Sequence, residues 1–350
     1  MAWIRAGRIS RYRCATALAA GLVIVAAVPA SAAGGWRTEP APVNSNARLY
    51  AVSCVSATVC QAVGWIGNNS QTFKPFAESR SGSKWSVAPS SGPAGSELVG
   101  VSCVAADWCQ AVGEANNLGT FLTEHWNGHT WSQVASPAPR YSYLNGVSCT
   151  SRAWCVAVGS RALPHQVGTV VERWYGTKWS TMSSPNRGTN DSYLWGVSCV
   201  SSSWCAAVGQ SFKAGVGAQT LVELWNGKTW HIVPSPSLPN ELNSLISVDC
   251  VSSTWCIAVG HTETGGLIER WDGHTWTILD HPSAKQESVE LRSVACTSRT
   301  ACTAVGSVAE SWNGHVWSTV PFPGAAYGIS CPTATVCKAV SGGTKIYTKN

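Results

Sequence analysis

Charged side chains are scarce: Asp, Glu, Lys and Arg make up only 12% of the 350 residues. Beyond the first 33 positions, no apolar run approaches the roughly 18 to 20 residues that a membrane-spanning helix requires. Almost no segment spaces its apolar residues at the three-to-four period of an amphipathic helix. The eight histidines are dispersed, and no carboxylate triplet has calcium-loop spacing. These shortages exclude, in turn, a strongly charged nucleic-acid footprint, a bundle of membrane helices, a helical repeat array and a metal centre evident from sequence. No cofactor is expected.

Residues 1–33 read as a signal peptide. Arg5, Arg8, Arg11 and Arg13 form a basic start, Ala15–Val28 is the apolar run, and Ala30-Ser31-Ala32 offers the small residues of a cleavage site. The run is too short to span a bilayer, which disfavours the rival reading of an uncleaved anchor. Cys14 precedes the run, so it leaves with the leader and is not a lipidation site. The leader holds four arginines and no acid, so its removal lowers the formal charge from +6 to +2. The mature chain, residues 34–350, is expected to be a secreted, extracellular monomer with no membrane span and no nucleic-acid partner.

What is abundant is cysteine and tryptophan, and both recur at fixed places. The fourteen cysteines after Cys14 fall into seven pairs, each with five intervening residues: Cys54/Cys60, Cys103/Cys109, Cys149/Cys155, Cys199/Cys205, Cys250/Cys256, Cys296/Cys302 and Cys331/Cys337. An even count in an exported chain reads as a disulfide framework. Zinc or redox pairs use two to four intervening residues and usually add histidines, which most of these pairs lack nearby.

The pairs mark a repeat. Successive first cysteines lie 49, 46, 50, 51, 46 and 35 residues apart, in the range of propeller blades or helical arrays. Residue chemistry decides between them. Gly196-Val197-Ser198-Cys199 is a short apolar run, followed by a Ser-rich turn and then the small, apolar Trp204–Gly209. Thr220–Trp225 is a third run, Asn226-Gly227 a hairpin turn, and a fourth run begins near Trp230. Four strands in each of seven units predict an all-β, seven-bladed propeller with one hairpin disulfide per blade. The last unit, from Tyr327, has room for only three strands, while Gly35-Trp36-Arg37-Thr38 looks like the fourth strand of other units. An N-terminal strand completing the last blade is therefore expected, since the ring would otherwise expose an edge.

The W-N/D-G-H-T-W turn followed by Ser-Pro resembles a repeat of secreted proteins from high-GC Gram-positive bacteria. It is also similar to the Asp-box turn, S-x-D-x-G-x-T-W, of sialidase- and sortilin-type propellers. Here Asp272 and Gly273 are adjacent and the leading serine is missing, so that similarity is degenerate. The resemblance covers essentially the whole mature chain and implies the fold, with little implication for activity.

Two kinds of position compete as functional. Glu78, Glu124, Glu172, Glu223, Glu269 and Glu310 recur in six of the seven units, and paired carboxylates would suit glycoside hydrolysis. An asymmetric active site needs its acid once, so a repeated acid is better read as a buried strut between blades. The turn histidines His129, His274 and His315 and the repeated tryptophans read as exposed tips and packing, and Trp108, Trp154, Trp204 and Trp255 as covers for the disulfides. Function is sought where the repeat breaks. One such place is the set of loops joining strands two and three and successive blades, at residues 65–76, 114–119, 160–168, 210–219 and 261–266.

A second lies four residues before each first cysteine, where strand one enters the axial channel. That position holds Tyr50, Val99, Asn145, Trp195, Ile246, Arg292 and Tyr327. Tyr50, Asn145, Trp195, Arg292 and Tyr327 would suit a sugar or another polar ligand, with rings for stacking and a guanidinium fork for an acidic group. The competing reading is that they plug the channel. The function expected is a non-catalytic extracellular binding module, with a glycan or cell-envelope partner. The alternatives are a glycoside hydrolase or polysaccharide lyase, or a bare scaffold. An enzyme would require a non-repeated cluster of acids, Tyr, His or Arg on one face.

Overall fold

Seven four-stranded antiparallel sheets make up a computed structural model that describes residues 35–43, 46–68, 72–115, 120–137, 141–188 and 191–350. The expected signal peptide, residues 1–33, lies outside the described residues. Every regular element among them is a strand, and none of them forms a helix long and apolar enough to cross a membrane.

Blade 4 shows the pattern: Ser192–Ser201, Trp204–Lys213, Gly217–Trp225 and Trp230–Val233 pair in sequence order. Blade 7 is the exception that closes the ring. Its inner strands Gly328–Ser330, Cys337–Val340 and Ile346–Lys349 accept the N-terminal Arg37–Glu39 as fourth strand, with Thr38 opposite Tyr347. The expected seam is present.

The seven cysteine pairs are seven disulfides, each within its own hairpin: Cys54–Cys60, Cys103–Cys109, Cys149–Cys155, Cys199–Cys205, Cys250–Cys256, Cys296–Cys302 and Cys331–Cys337. Cys199 stands directly across from Cys205 in the ladder between strands one and two. The two halves of a bond differ in their surroundings. Each second cysteine is sealed from solvent, Cys60, Cys109, Cys155, Cys205, Cys256 and Cys337 at no more than 1% exposure and Cys302 at 3%. The first cysteines are half-buried, apart from the buried Cys250. Closing so short a loop removes about 2 kcal/mol of unfolded-chain entropy. Such bonds persist in oxidising compartments.

The cores lie between blades. Val208 and Val222 of blade 4 pack with Leu245, Val248 and Leu267 of blade 5, all buried. Four blades have a tryptophan before the second cysteine, and it reaches across the same gap: Trp154 shares a core cluster with Cys205 of the next blade, and Trp255 with Cys302. At the rim, third- and fourth-strand tryptophans pair across their hairpin, as Trp225 and Trp230 do at 5.8 Å between ring centroids. Trp225 Nε1 donates to the Ser202 carbonyl in the cysteine hairpin, fixing one turn to the other. The intervening Asn226 Oδ1 accepts from the Lys228 and Thr229 amides, a side-chain mimic of a backbone turn.

At the axis the backbones nearly touch. A Cβ on Gly146 would sit 2.9 Å from the Trp195 carbonyl, and one on Gly328 2.7 Å from that of Tyr50. In five blades a serine precedes the first cysteine and fills a role beyond being small. Ser148 Oγ accepts from the Cys199 amide of the next blade at 3.0 Å, and Ser53, Ser102, Ser198 and Ser330 do likewise. Asp249 stands in for serine in blade 5, accepting from the Cys296 amide at 2.7 Å, and burial pushes its carboxyl up to about 6.

Candidate functional site

Strand one pairs with strand two through a recurrent irregularity. The register jumps from Leu49 to Ala51, Leu98 to Gly100, Leu144 to Gly146, Leu194 to Gly196, Leu245 to Ser247 and Leu291 to Ser293. The skipped residues are Tyr50, Val99, Asn145, Trp195, Ile246 and Arg292. Each is the extra residue of a β-bulge, which takes a side chain out of the ladder and re-aims it. The glycine across the strand makes the bulge feasible: a Cβ at Gly209 would stand 1.9 Å from the Tyr193 carbonyl oxygen.

With Tyr327 of blade 7, these residues all line one axial cavity of about 530 Å³. The five candidates named from sequence are therefore gathered at a single channel. They are tied to one another and to their surroundings. Tyr50 and Tyr327 meet edge to face at 5.6 Å, and Trp65 Nε1 donates to the Tyr50 hydroxyl at 3.0 Å. Burial holds the Tyr50 phenol above its ordinary pKa. Arg292 lies 4.3 Å over the Tyr327 ring and pairs with Glu290, so its fork is already engaged in part. Asn145 Nδ2 donates to the Leu194 carbonyl of the next blade at 2.8 Å. Trp195 stacks on Tyr193, 5.8 Å between centroids and 4° between planes, and its indole N–H is buried without a hydrogen-bond partner among the described residues.

A second cavity of about 560 Å³ adjoins the first, sharing Val99, Asn145 and Trp195 with it. Glu97, Glu114, Tyr141, Arg161 and Tyr193 complete its character. Glu97 faces Glu114 across the strand pair, and burial, then the Glu114 charge, raise the pKa of Glu97 despite Arg48. Glu114 and Arg161 fall in the variable loops expected from sequence, whereas Glu97, Tyr141 and Tyr193 were not singled out, although a signal for Glu97 and Tyr193 was present. Two positions before the mouth residue the units read Arg48, Glu97, Tyr143, Tyr193, Ser244, Glu290 and Ala325, as irregular as the mouth itself.

All the disulfide cysteines but Cys331 stand apart from both cavities. Cys60, Cys109, Cys155, Cys205 and Cys256 line neither, and their burial puts them out of a ligand's reach. They sit in the inter-blade cores, Cys60 beside Leu49 and Val52, Cys109 beside Leu98, Cys155 beside Leu144 and Cys256 beside Leu245. Their part is to hold the hairpins that carry the site. Of the fourteen, Cys331 alone reaches the axial cavity.

The repeated glutamates also lie elsewhere. All six are fully buried. Five are bonded to the strand-four exit of the preceding blade: Ser90 donates to Glu124, Ser136 to Glu172, Ser184 to Glu223 and Ser235 to Glu269, while His281 and the Ser283 amide contact Glu310. Glu78 departs from the expected strut, with no partner for either oxygen among the described residues. His129, His274 and His315 are exposed at their turns. Among the described residues no three His, Cys, Asp or Glu side chains are grouped to hold a metal ion.

No protein-family model and no curated protein sequence matches the chain. Solved structures do. The chain is similar to YCF48 bound to D1 peptide, at 13% identity and TM-score 0.60, covering 90% of this chain and 94% of that one. It is similar to the WD40 β-propeller domain of Doa1, at 10% identity and TM-score 0.62 over 91% and 97% of the two chains. YCF48 from Cyanidioschyzon merolae matches at 11% identity and TM-score 0.59 over 90% and 99%. At these identities the likeness establishes the propeller fold alone.

Proposed function

We propose that the chain is a secreted, non-catalytic binding protein whose axial mouth holds an extracellular partner, a glycan or other component of the cell envelope. One observation carries this reading. In each of six blades a bulge aims one side chain at the same cavity, and that residue varies while the leucine before it, the glycine facing it on strand two and the cysteine after it repeat. A plug needs bulk, whereas rings, an amide and a guanidinium together offer stacking and directional bonds. The basic, apolar and small-residue segments of the leader and the oxidised hairpins support an extracellular setting. The similarity to secreted repeat proteins agrees with it. A propeller of the same architecture, YCF48, is recorded with a bound peptide, which supports partner binding on this scaffold.

Trp195 is the test. Truncating a desolvated aromatic at a binding hot spot costs about 2 kcal/mol or more. Trp195→Ala should weaken binding to purified cell-wall polysaccharide at least roughly tenfold, read by co-sedimentation and calorimetry, with little change in Tm. If the variant unfolds while affinity per folded molecule is unchanged, Trp195 is a plug. The Glu97–Glu114 pair is the one observation that favours hydrolysis instead, and release of reducing ends in the same assay would establish it.

A further inference from the structure

Three features set the second cavity apart from the other blades. The first is its aromatic wall: the coplanar Trp195–Tyr193 stack continues outward to Phe212, edge-on to Tyr193 at 6.2 Å and 41% exposed. Trp195 lines both cavities, so the wall connects the axial mouth with the groove. The second is the cross-strand pair Glu97 and Glu114, which lines the groove together with Arg161.

The third is strain. Tyr141 holds φ at 61° while 61% exposed. Its carbonyl accepts from the Ala162 amide at 2.8 Å, as the Asn46 carbonyl accepts from the Gly67 amide in blade 1, also with φ at 61°. Asparagine tolerates that left-handed conformation, and a bulky aromatic does not. Strain kept at the rim of a cavity points to a ligand.

We propose that this groove is a saccharide subsite continuous with the axial mouth, taking an uncharged or amino-bearing oligosaccharide. The inference rests on the reading of the mouth as a ligand site. Tyr193, Trp195 and Tyr141 supply flat apolar faces for the C–H faces of sugar rings. Glu97 and Glu114 supply acceptors for neighbouring hydroxyls, or a counter-charge for an amino group. Two neighbouring carboxyl groups disfavour uronates and other acidic sugars.

Calorimetric titration of the disulfide-intact protein decides the matter, with cellotetraose, a tetramer of N-acetylglucosamine, a tetramer of glucosamine, an oligogalacturonate of equal length and a basic decapeptide as probes. The result expected is binding of at least one of the first three and silence from the last two. Tyr141→Asn should weaken that binding at least about tenfold while raising Tm, and Glu97→Gln should weaken it with Tm little changed. If the oligosaccharide binds, both variants bind as the parent does and Trp195→Ala alone abolishes binding, the groove is no subsite although the mouth stands. If only the oligogalacturonate or the peptide binds, the ligand class is wrong. If no saccharide binds, the inference fails, and the cell-wall assay of Trp195→Ala judges the mouth separately.

Discussion

A single missing polar side chain distinguishes Glu78 from its five counterparts. Five residues after the fourth-strand tryptophan of the preceding blade stands Ser90, Ser136, Ser184, Ser235 or His281, and each contacts the next blade's glutamate. Across the seam, five residues after Trp36, that place is Ala41. Glu78 is fully buried, and burial pushes its carboxyl from 4.5 up to about 8. A folded-state pKa above the unfolded one means that stability is fully present below the unfolded value. It is lost as pH rises through the folded one. Glu78→Gln should therefore raise Tm relative to the parent at pH 9 and leave it nearly unchanged at pH 4. Ala41→Ser, which restores the hydroxyl, should recover part of that gain without removing the acid. Calorimetric scans between pH 4 and 9 check both; a difference independent of pH would show that Glu78 does not ionise unaided.

Within each blade, the bulge and the glycine facing it act as one device. Gly209→Ala places a Cβ against the Tyr193 carbonyl, rigid backbone that can yield only by breaking the ladder beside Trp195. The expected cost is about 3 kcal/mol, with loss of the mouth geometry. Gly35→Ala, where nothing lies within 4 Å, should leave Tm unmoved. Urea denaturation of the two variants measures the contrast, and equal midpoints would mean that the bulge can relax. The repeated Ala-Val-Gly was legible in the sequence as a strand. Its purpose was not, because it depends on how closely a second strand's backbone approaches. Likewise Tyr50, Asn145, Trp195, Arg292 and Tyr327 were legible because they break a repeat at a fixed distance from cysteine. The bulge that aims them leaves no mark in a period-two pattern. Glu97, Glu114 and Tyr193 break the repeat equally, but their meeting at one cavity depends on cross-strand register. The strain at Tyr141 is a property of φ, which no residue name discloses.

Closure is what makes seven sheets one molecule, and its chemistry is concentrated in Glu39. From the N-terminal strand, its carboxylate accepts from Lys338 Nζ at 2.9 Å in blade 7, and from Arg80 at 2.6 Å and Trp85 Nε1 at 2.9 Å in blade 1. Lys338 is 1% exposed, so it has little water to turn to. Burial works against the Glu39 charge, but Lys338, Trp85 and Arg80 outweigh it and hold the pKa below its ordinary 4.5. The sign is opposite to that of Glu78. Stability from Glu39 is present above the unfolded pKa and is lost as pH falls through the folded one. Removing one member of a buried pair strands the other, at about 3 to 5 kcal/mol. Glu39→Gln should therefore lower Tm at pH 7 by several degrees, with the gap closing below pH 4. Deleting residues 35–42 should do more. It removes the clasp, leaves blade 7 with three strands, and exposes the Ile346–Lys349 edge to pairing with other chains. The whole ring should then melt earlier and aggregate, read as a lower Tm with rising light scattering. A deletion that melts like the parent, and stays monomeric, would mean that the blades hold together through their inter-blade cores alone.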